Sequence, residues 1–140
     1  MRVCLGLIAI LATATPVVAK PLVTSSEDTL ARICLARTET AARIVEACDG
    51  ALTEAGLTQS QRVDIMIARG DGHVWQDQYP EAVRSYREAV GIDPKSVEAW
   101  NGLGWALWES EGSQAALEAF ETSLTINVSV QGLSGKATKW

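Results

Sequence analysis

Residues 63–96 and 97–130 are two copies of one pattern, offset by 34 positions with no insertion. Gly70 matches Gly104, Ala82 matches Ala116, Tyr86 matches Phe120, and Ile92-Asp93 matches Ile126-Asn127. A fixed period of this length marks a helical repeat array. It constrains the chain more than any single residue does. Each unit buries only part of its apolar face and must stack on a neighbour to finish the job.

Start and stop signals place the pattern on helices. Ser25-Ser26-Glu27-Asp28 has the Ser-x-x-Asp form of a capping box and opens a helix to about residue 37. A second is expected from about 40 to 55, with Ala41, Ile44, Val45, Cys48, Ala51, Leu52 and Ala55 at helical spacing. Gly56 suits the left-handed position that ends it. Thr58-Gln59-Ser60-Gln61 is another capping box, for a helix to about residue 76. Pro80 fits the first turn of a fourth helix, about 80–91, which Gly91 and Asp93-Pro94 end. A fifth runs over about 96–109, and Gly112-Ser113 turns the chain into a sixth, to about 126. No segment shows strand alternation bounded by turns. The expected fold class is all-α, with six helices in three antiparallel pairs.

The two ends read differently. Met1-Arg2 is a short positive start, Val3 to Ala14 is an uncharged apolar run, and Val17-Val18-Ala19 offers small residues for cleavage. Residues 1–19 are expected to be a secretory signal peptide. The apolar run is shorter than the ~20 residues of a spanning helix, so no membrane span is expected after cleavage. Cys4 leaves with the signal, and Cys34 and Cys48 remain. In an exported chain two cysteines read as one disulfide, the alternative being two separately buried thiols. On one straight helix they would stand ~21 Å apart, and a bridge needs Cα atoms within ~7 Å. The pairing therefore requires the chain to fold back near Thr38-Glu39-Thr40. Residues 129–140, rich in Gly, Ser and Lys, read as a tail with at most one short weak helix. The formal charge is -5, and no basic cluster exists, which argues against nucleic acid as a partner.

The repeat resembles the tetratricopeptide repeat. The second copy carries Trp100, Leu103-Gly104, Leu107, Ala116, Phe120 and Ser123 in that pattern. The first carries Met66, Arg69-Gly70, His73, Ala82, Tyr86, Ala89 and Pro94. Arg69 stands where the family has Leu, and Val128 where it has Pro. Residues 1–62 match only as a diverged helix pair. The resemblance implies a short right-handed solenoid of helical hairpins after a signal peptide. Residues 20–62 would form a leader and a disulfide-stapled cap, 63–96 and 97–128 the repeats, and 129–140 the tail. Met66, Gly70, Ala82, Tyr86, Ala89, Trp100, Gly104, Ala116 and Phe120 become the expected structural core. The Cys-containing first hairpin also looks like small exported repeat proteins of bacteria.

The resemblance further implies a concave groove. Asp64, Ile67, Asp71, Val74 and Trp75 would line it from the first copy. Glu98, Asn101, Trp105, Trp108 and Glu109 would line it from the second. Three indoles and four carboxylates there suit a protein or peptide partner, extended or helical, carrying Lys or Arg. In the competing account Trp75, Trp105 and Trp108 pack against the neighbouring pair or the tail.

Signals for chemistry are weak. His73 is the only histidine, and a structural role fits it best. Cys34 and Cys48 lack metal-ligand spacing. Asp71 and His73 lie two apart on a helix and do not face each other. Glu109 and Glu111 near a turn read as solvated charge. No catalysis, metal or cofactor is expected. The resulting reading is a non-enzymatic adaptor, periplasmic or secreted, from a Gram-negative bacterium. Its competitor is a structural subunit of an envelope assembly, or a homodimer, docking through an uncapped C-terminal end. A third, more distant reading gives Cys34–Cys48 a redox role.

Overall fold

A computed structural model describes residues 26–134 of the chain. Six helices follow in order: α1 Ser26–Ala36, α2 Ala41–Leu52, α3 Gln59–Val74, α4 Tyr79–Ile92, α5 Val97–Glu111 and α6 Ser113–Ser134. The expected signal peptide, the leader 20–24 and the last six tail residues lie outside the described residues.

Local chemistry accounts for the boundaries. Thr58 Oγ1 accepts from the Gln61 N–H at 3.2 Å, and the Thr58 N–H donates to Gln61 Oε1 at 2.9 Å. That reciprocal pair satisfies two donors which the first turn of α3 leaves free. Ser96 caps α5 with one such bond, accepting from the Ala99 N–H at 3.2 Å. Pro80 sits in the first turn of α4, where its missing N–H costs nothing. Gly112, at φ 94°, ends α5 in a region closed to most side chains.

Each helix packs on the next, so the chain forms three successive hairpins. In addition α1 touches α3 and α3 touches α5, whereas α2, α4 and α6 do not touch one another. The odd-numbered helices therefore crowd together on the inner side of the stack and the even-numbered ones splay outward. This is the geometry of a curved helical-hairpin solenoid.

One core cluster centres on the repeats. It includes Ala82, Val83, Tyr86, Ala89, Leu103, Leu107 and Ala116, with Met66, Trp100 and Phe120 packed against it. Gly70 and Gly104 are buried as expected. A Cβ at Gly70 would stand 2.7 Å from Tyr86 Cε1, and one at Gly104 would stand 2.6 Å from Phe120 Cε1. The bare backbone is what lets each aromatic lie against its own hairpin. A second cluster in the first hairpin holds Ile44, Ala47, Ala51, Ile65 and the Cys34–Cys48 disulfide, whose Cα atoms are 4.9 Å apart. Arg69 joins the two. From its place on α3 it donates to Ser85 Oγ at 3.0 Å, to Asp49 at 3.3 Å and to Glu88. The departure from Leu thus ties α3 to both flanking helices.

Two boundaries differ from expectation, and the first hairpin keeps its own register. Helix α2 stops at Leu52, and Gly56, at φ 98°, lies in the following loop. The first hairpin is also out of the 34-residue register. Its buried set Ile44, Ala47, Cys48 and Ala51 has the spacing of Ala82, Ser85, Tyr86 and Ala89, 38 residues on. Helix α3 begins one turn before the point that matches the start of α5, which absorbs the difference. Finally, α6 does not stop near Ile126 but continues to Ser134, taking in the first part of the expected tail.

Candidate interaction surface

The inner face is built from α1, α3 and α5, and most of the expected groove residues fall on it. Asp64, Glu98, Asn101 and Glu109 are exposed, and Val74 is half-buried. Trp75, at the end of α3, is 54% exposed. Ile67 is 3% exposed and packs in the core, where it also forms part of the wall of the cleft beside Asp64. Asp64 and Glu98 flank a cleft of about 320 Å³ whose floor includes Val63 and Ile92. His73 Nδ1 lies 2.8 Å from Gln78 Oε1, closing the α3–α4 turn, which is a structural role.

The acidic middle of this face already holds a cation. Arg37, just past the end of α1, places Nη1 2.7 Å from Asp71 Oδ2 and Nη2 3.6 Å from Glu98 Oε1. Tyr86 donates its hydroxyl to Asp71 as well. Arg37 reaches this position in a left-handed backbone conformation, φ 53°, which is uncommon for a residue with a side chain. Burial pushes the Asp71 carboxyl above the usual carboxylate range, against the opposing pull of Tyr86 and Arg37. Burial, and then the Asp71 bond, push the Tyr86 phenol up in turn. Two of the four carboxylates expected to meet a basic partner are therefore engaged from within. Linear spacing did not reveal Arg37, because the first hairpin is out of register.

The indoles of α5 lie elsewhere. Trp105 and Trp108, with Asn101, Phe120 and Leu124, line an open cleft of about 380 Å³ with almost wholly apolar walls. Trp105 meets the Phe120 ring edge-on, centroids 5.7 Å apart at 81°. It thus packs against α6 of its own hairpin and still remains 61% exposed. Trp75 is not among the cleft residues.

The repeat itself explains why the cleft is open. Helix α4 has α3 on one side and α5 on the other, whereas among the described residues α6 has α5 alone. Val83 is 3% exposed on α4, and its equivalent on α6, Leu117, is 48% exposed. Val90 packs against the core, and its equivalent Leu124 is 63% exposed. Tyr86 is wedged between two glycines. A Cβ at Gly70 would stand 2.7 Å from its Cε1 and one at Gly102 of α5 would stand 2.5 Å from it. Phe120 has Gly104 behind it and, among the described residues, no counterpart of Gly102 in front. Leu117, Phe120 and Leu124 were missed as surface residues because the register marks them as packing positions. The signal that finds them is that residues 129–140 do not match the start of a third copy.

Comparison with known proteins agrees with this geometry. Residues 70–110 match the TPR repeat family. Residues 70–110 are thus of the tetratricopeptide-repeat type. The chain is 35% identical over 82 residues to tetratricopeptide repeat protein 5 of Bos taurus and 34% identical over 82 residues to that of Homo sapiens. Each match takes in 56% of this chain and 19% of the relative. The chain therefore spans about a fifth of the length of these curated relatives, 19%. Tetratricopeptide repeats are, as a class, modules that hold other proteins. Among the described residues no group of three or more His, Cys, Asp or Glu comes together as a metal site. No described helix is long and apolar enough to cross a membrane.

Proposed function

We propose that this tetratricopeptide-repeat chain is an adaptor that captures a segment of a partner protein at the α5–α6 end of its inner face. The observation that carries the reading is the apolar cleft of Trp105, Trp108, Phe120 and Leu124. Large aromatic side chains held by a rigid scaffold, yet left half uncovered, are typical anchors for binding. The site would bind and release without turnover. We further propose an exported setting, periplasmic or secreted. The expected signal peptide at residues 1–19 supports it, and so does the Cys34–Cys48 disulfide, since such bonds persist in oxidising compartments.

The test is capture of partners by native chain and by Trp105→Ala/Trp108→Ala, with circular dichroism to check the fold. Both indoles point outward, so the double variant is expected to stay folded and lose capture. A folded variant that captures the same proteins as native chain ends the reading.

A second reading is favoured by the exposed stripe Leu117, Leu124 and Val128 on α6. In that case the same end docks in a larger assembly or on a second copy of the chain. Sedimentation equilibrium separates the two, because a stable dimer that captures nothing supports docking.

A further inference from the structure

We infer that the α5–α6 end takes a partner helix which presents glycine to Phe120 and a cation to Glu121. This rests on the adaptor reading and names the chemistry of its partner. The template is the chain's own α4–α5 contact.

On α4, Tyr86 presents its ring to α5, and Gly102 is the residue that meets it. A Cβ there would stand 2.5–2.9 Å from three ring atoms, so even the smallest side chain is excluded without movement. Phe120 is the same position one period later. It is packed from behind by Gly104, and edge-on contact with Trp105 holds its ring. A helix docking on α6 as α5 docks on α4 meets the Phe120 ring at the same place. It needs the same bare backbone there. Its apolar residues then cover Leu117 and Leu124, as the next hairpin helps cover Val83 and Val90.

Charge adds the second element. Arg87 of α4 faces Glu111 of α5, with Nη2 and Oε1 4.0 Å apart. The equivalent of Arg87 on α6 is Glu121, a reversal of sign. A helix in the place of α5 therefore carries Lys or Arg where α5 has Glu111, nine residues after its glycine. The cation expected of a partner thus belongs at Glu121, outside the Asp71–Glu98 pair that Arg37 fills.

The probes are fluorescein-labelled peptides with the sequence of Val97–Glu111. One is unchanged, one carries Glu111→Lys, and one carries Glu111→Lys with Gly102→Leu. Each is titrated with the full chain at low salt and read by anisotropy. The Glu111→Lys peptide is expected to bind a fewfold tighter than the unchanged one, since exposed ion pairs are weak, about threefold. Adding Gly102→Leu should weaken binding at least about tenfold through overpacking. On the protein side, Glu121→Lys should reverse the charge preference and Leu124→Arg should abolish binding. Both residues are exposed, so neither variant should unfold.

Three outcomes overturn the inference. One is equal binding of the glycine and leucine peptides. Another is a charge preference that Glu121→Lys leaves unmoved. The third is no binding by any peptide, including the case where the chain is a dimer broken by Leu124→Arg, which would make a second copy the occupant. Capture that depends on Trp105 and Trp108 while these peptides fail leaves the adaptor reading standing without its helix. Capture that ignores both indoles ends the adaptor reading itself.

Discussion

Gly102 sits in the interior of α5, where alanine is intrinsically favoured by about 1 kcal/mol. Gly102→Ala should nevertheless destabilise the protein. The new Cβ would lie 2.5, 2.6 and 2.9 Å from Cε1, Cζ and Cδ1 of Tyr86. That ring is 2% exposed and cannot retreat, since a Cβ at Gly70 would already stand 2.7 Å from the same Cε1. Its hydroxyl is also tied to Asp71. Helix α5 must therefore move off α4, at an overpacking cost of roughly 2–3 kcal/mol. Subtracting the helical gain leaves a net loss of about 1–2 kcal/mol, or roughly 5–10 °C in Tm for a domain of this size. Gly91→Ala is the control, because nothing lies within 4 Å of a Cβ there. It should be neutral or gain up to about 1 kcal/mol. Urea unfolding followed at 222 nm reads both. If Gly102→Ala is as stable as Gly91→Ala, the wedge between α3 and α5 is not what positions the second repeat.

Reducing Cys34–Cys48, or replacing both with Ser, opens a covalent loop with a sequence separation of 14. The expected loss is about 3 kcal/mol, measured as a fall in urea midpoint with and without reductant. Asp71 gives a pH signature. Its pKa is raised in the folded chain, so the folded state holds the proton more tightly and native stability attributable to this group falls as pH rises from about 4 toward neutral. Relative to Asp71→Asn, the native chain should gain stability as pH is lowered through that window, and an opposite slope would mean that the Arg37 pair outweighs burial. Arg37→Gly should be about 1 kcal/mol more stable than Arg37→Gln, since both lose the ion pair and only glycine relieves the left-handed backbone.

The repeat units were legible in the sequence because each packing position is tied to one residue type. Gly70, Gly104, Ala82, Ala116 and Tyr86 are buried where the period puts them. Helix starts were legible wherever a side chain makes the cap, as at Thr58 and Ser96. The helices and disulfide of the first hairpin were legible, but its register was not, because α3 gains a turn at its start and shifts everything before it. Arg37 was hidden for that reason and for another. Its role depends on a left-handed backbone that no residue type at that place announces. The extension of α6 was missed because small polar residues such as Ser129 read as a loop. In the structure Ser129 bonds back to the Thr125 carbonyl at 2.8 Å and stays in the helix. Of the ten residues assigned to the groove, Ile67 is the one almost wholly buried, because a groove position and a core position on α3 share the same spacing.

A repeat chain supplies its own control for the site. Val83 and Leu117, or Tyr86 and Phe120, are the same position with and without a next helix among the described residues, and their difference in exposure follows that neighbour. The size of that cover bears on how tightly anything binds. Covering Leu117 and Leu124 from about half exposure is worth roughly 1 kcal/mol each, and Trp105 and Trp108 add roughly as much again. The partner buries a similar apolar area, so the total is on the order of 8 kcal/mol, against an association cost of about 4 kcal/mol or more in lost freedom. The surplus is small, and the cleft alone therefore cannot hold a free peptide tightly. A tight partner must also lie along the inner face past Asn101, where Glu98 and Arg37 set the next contacts. A partner confined to the cleft should exchange rapidly.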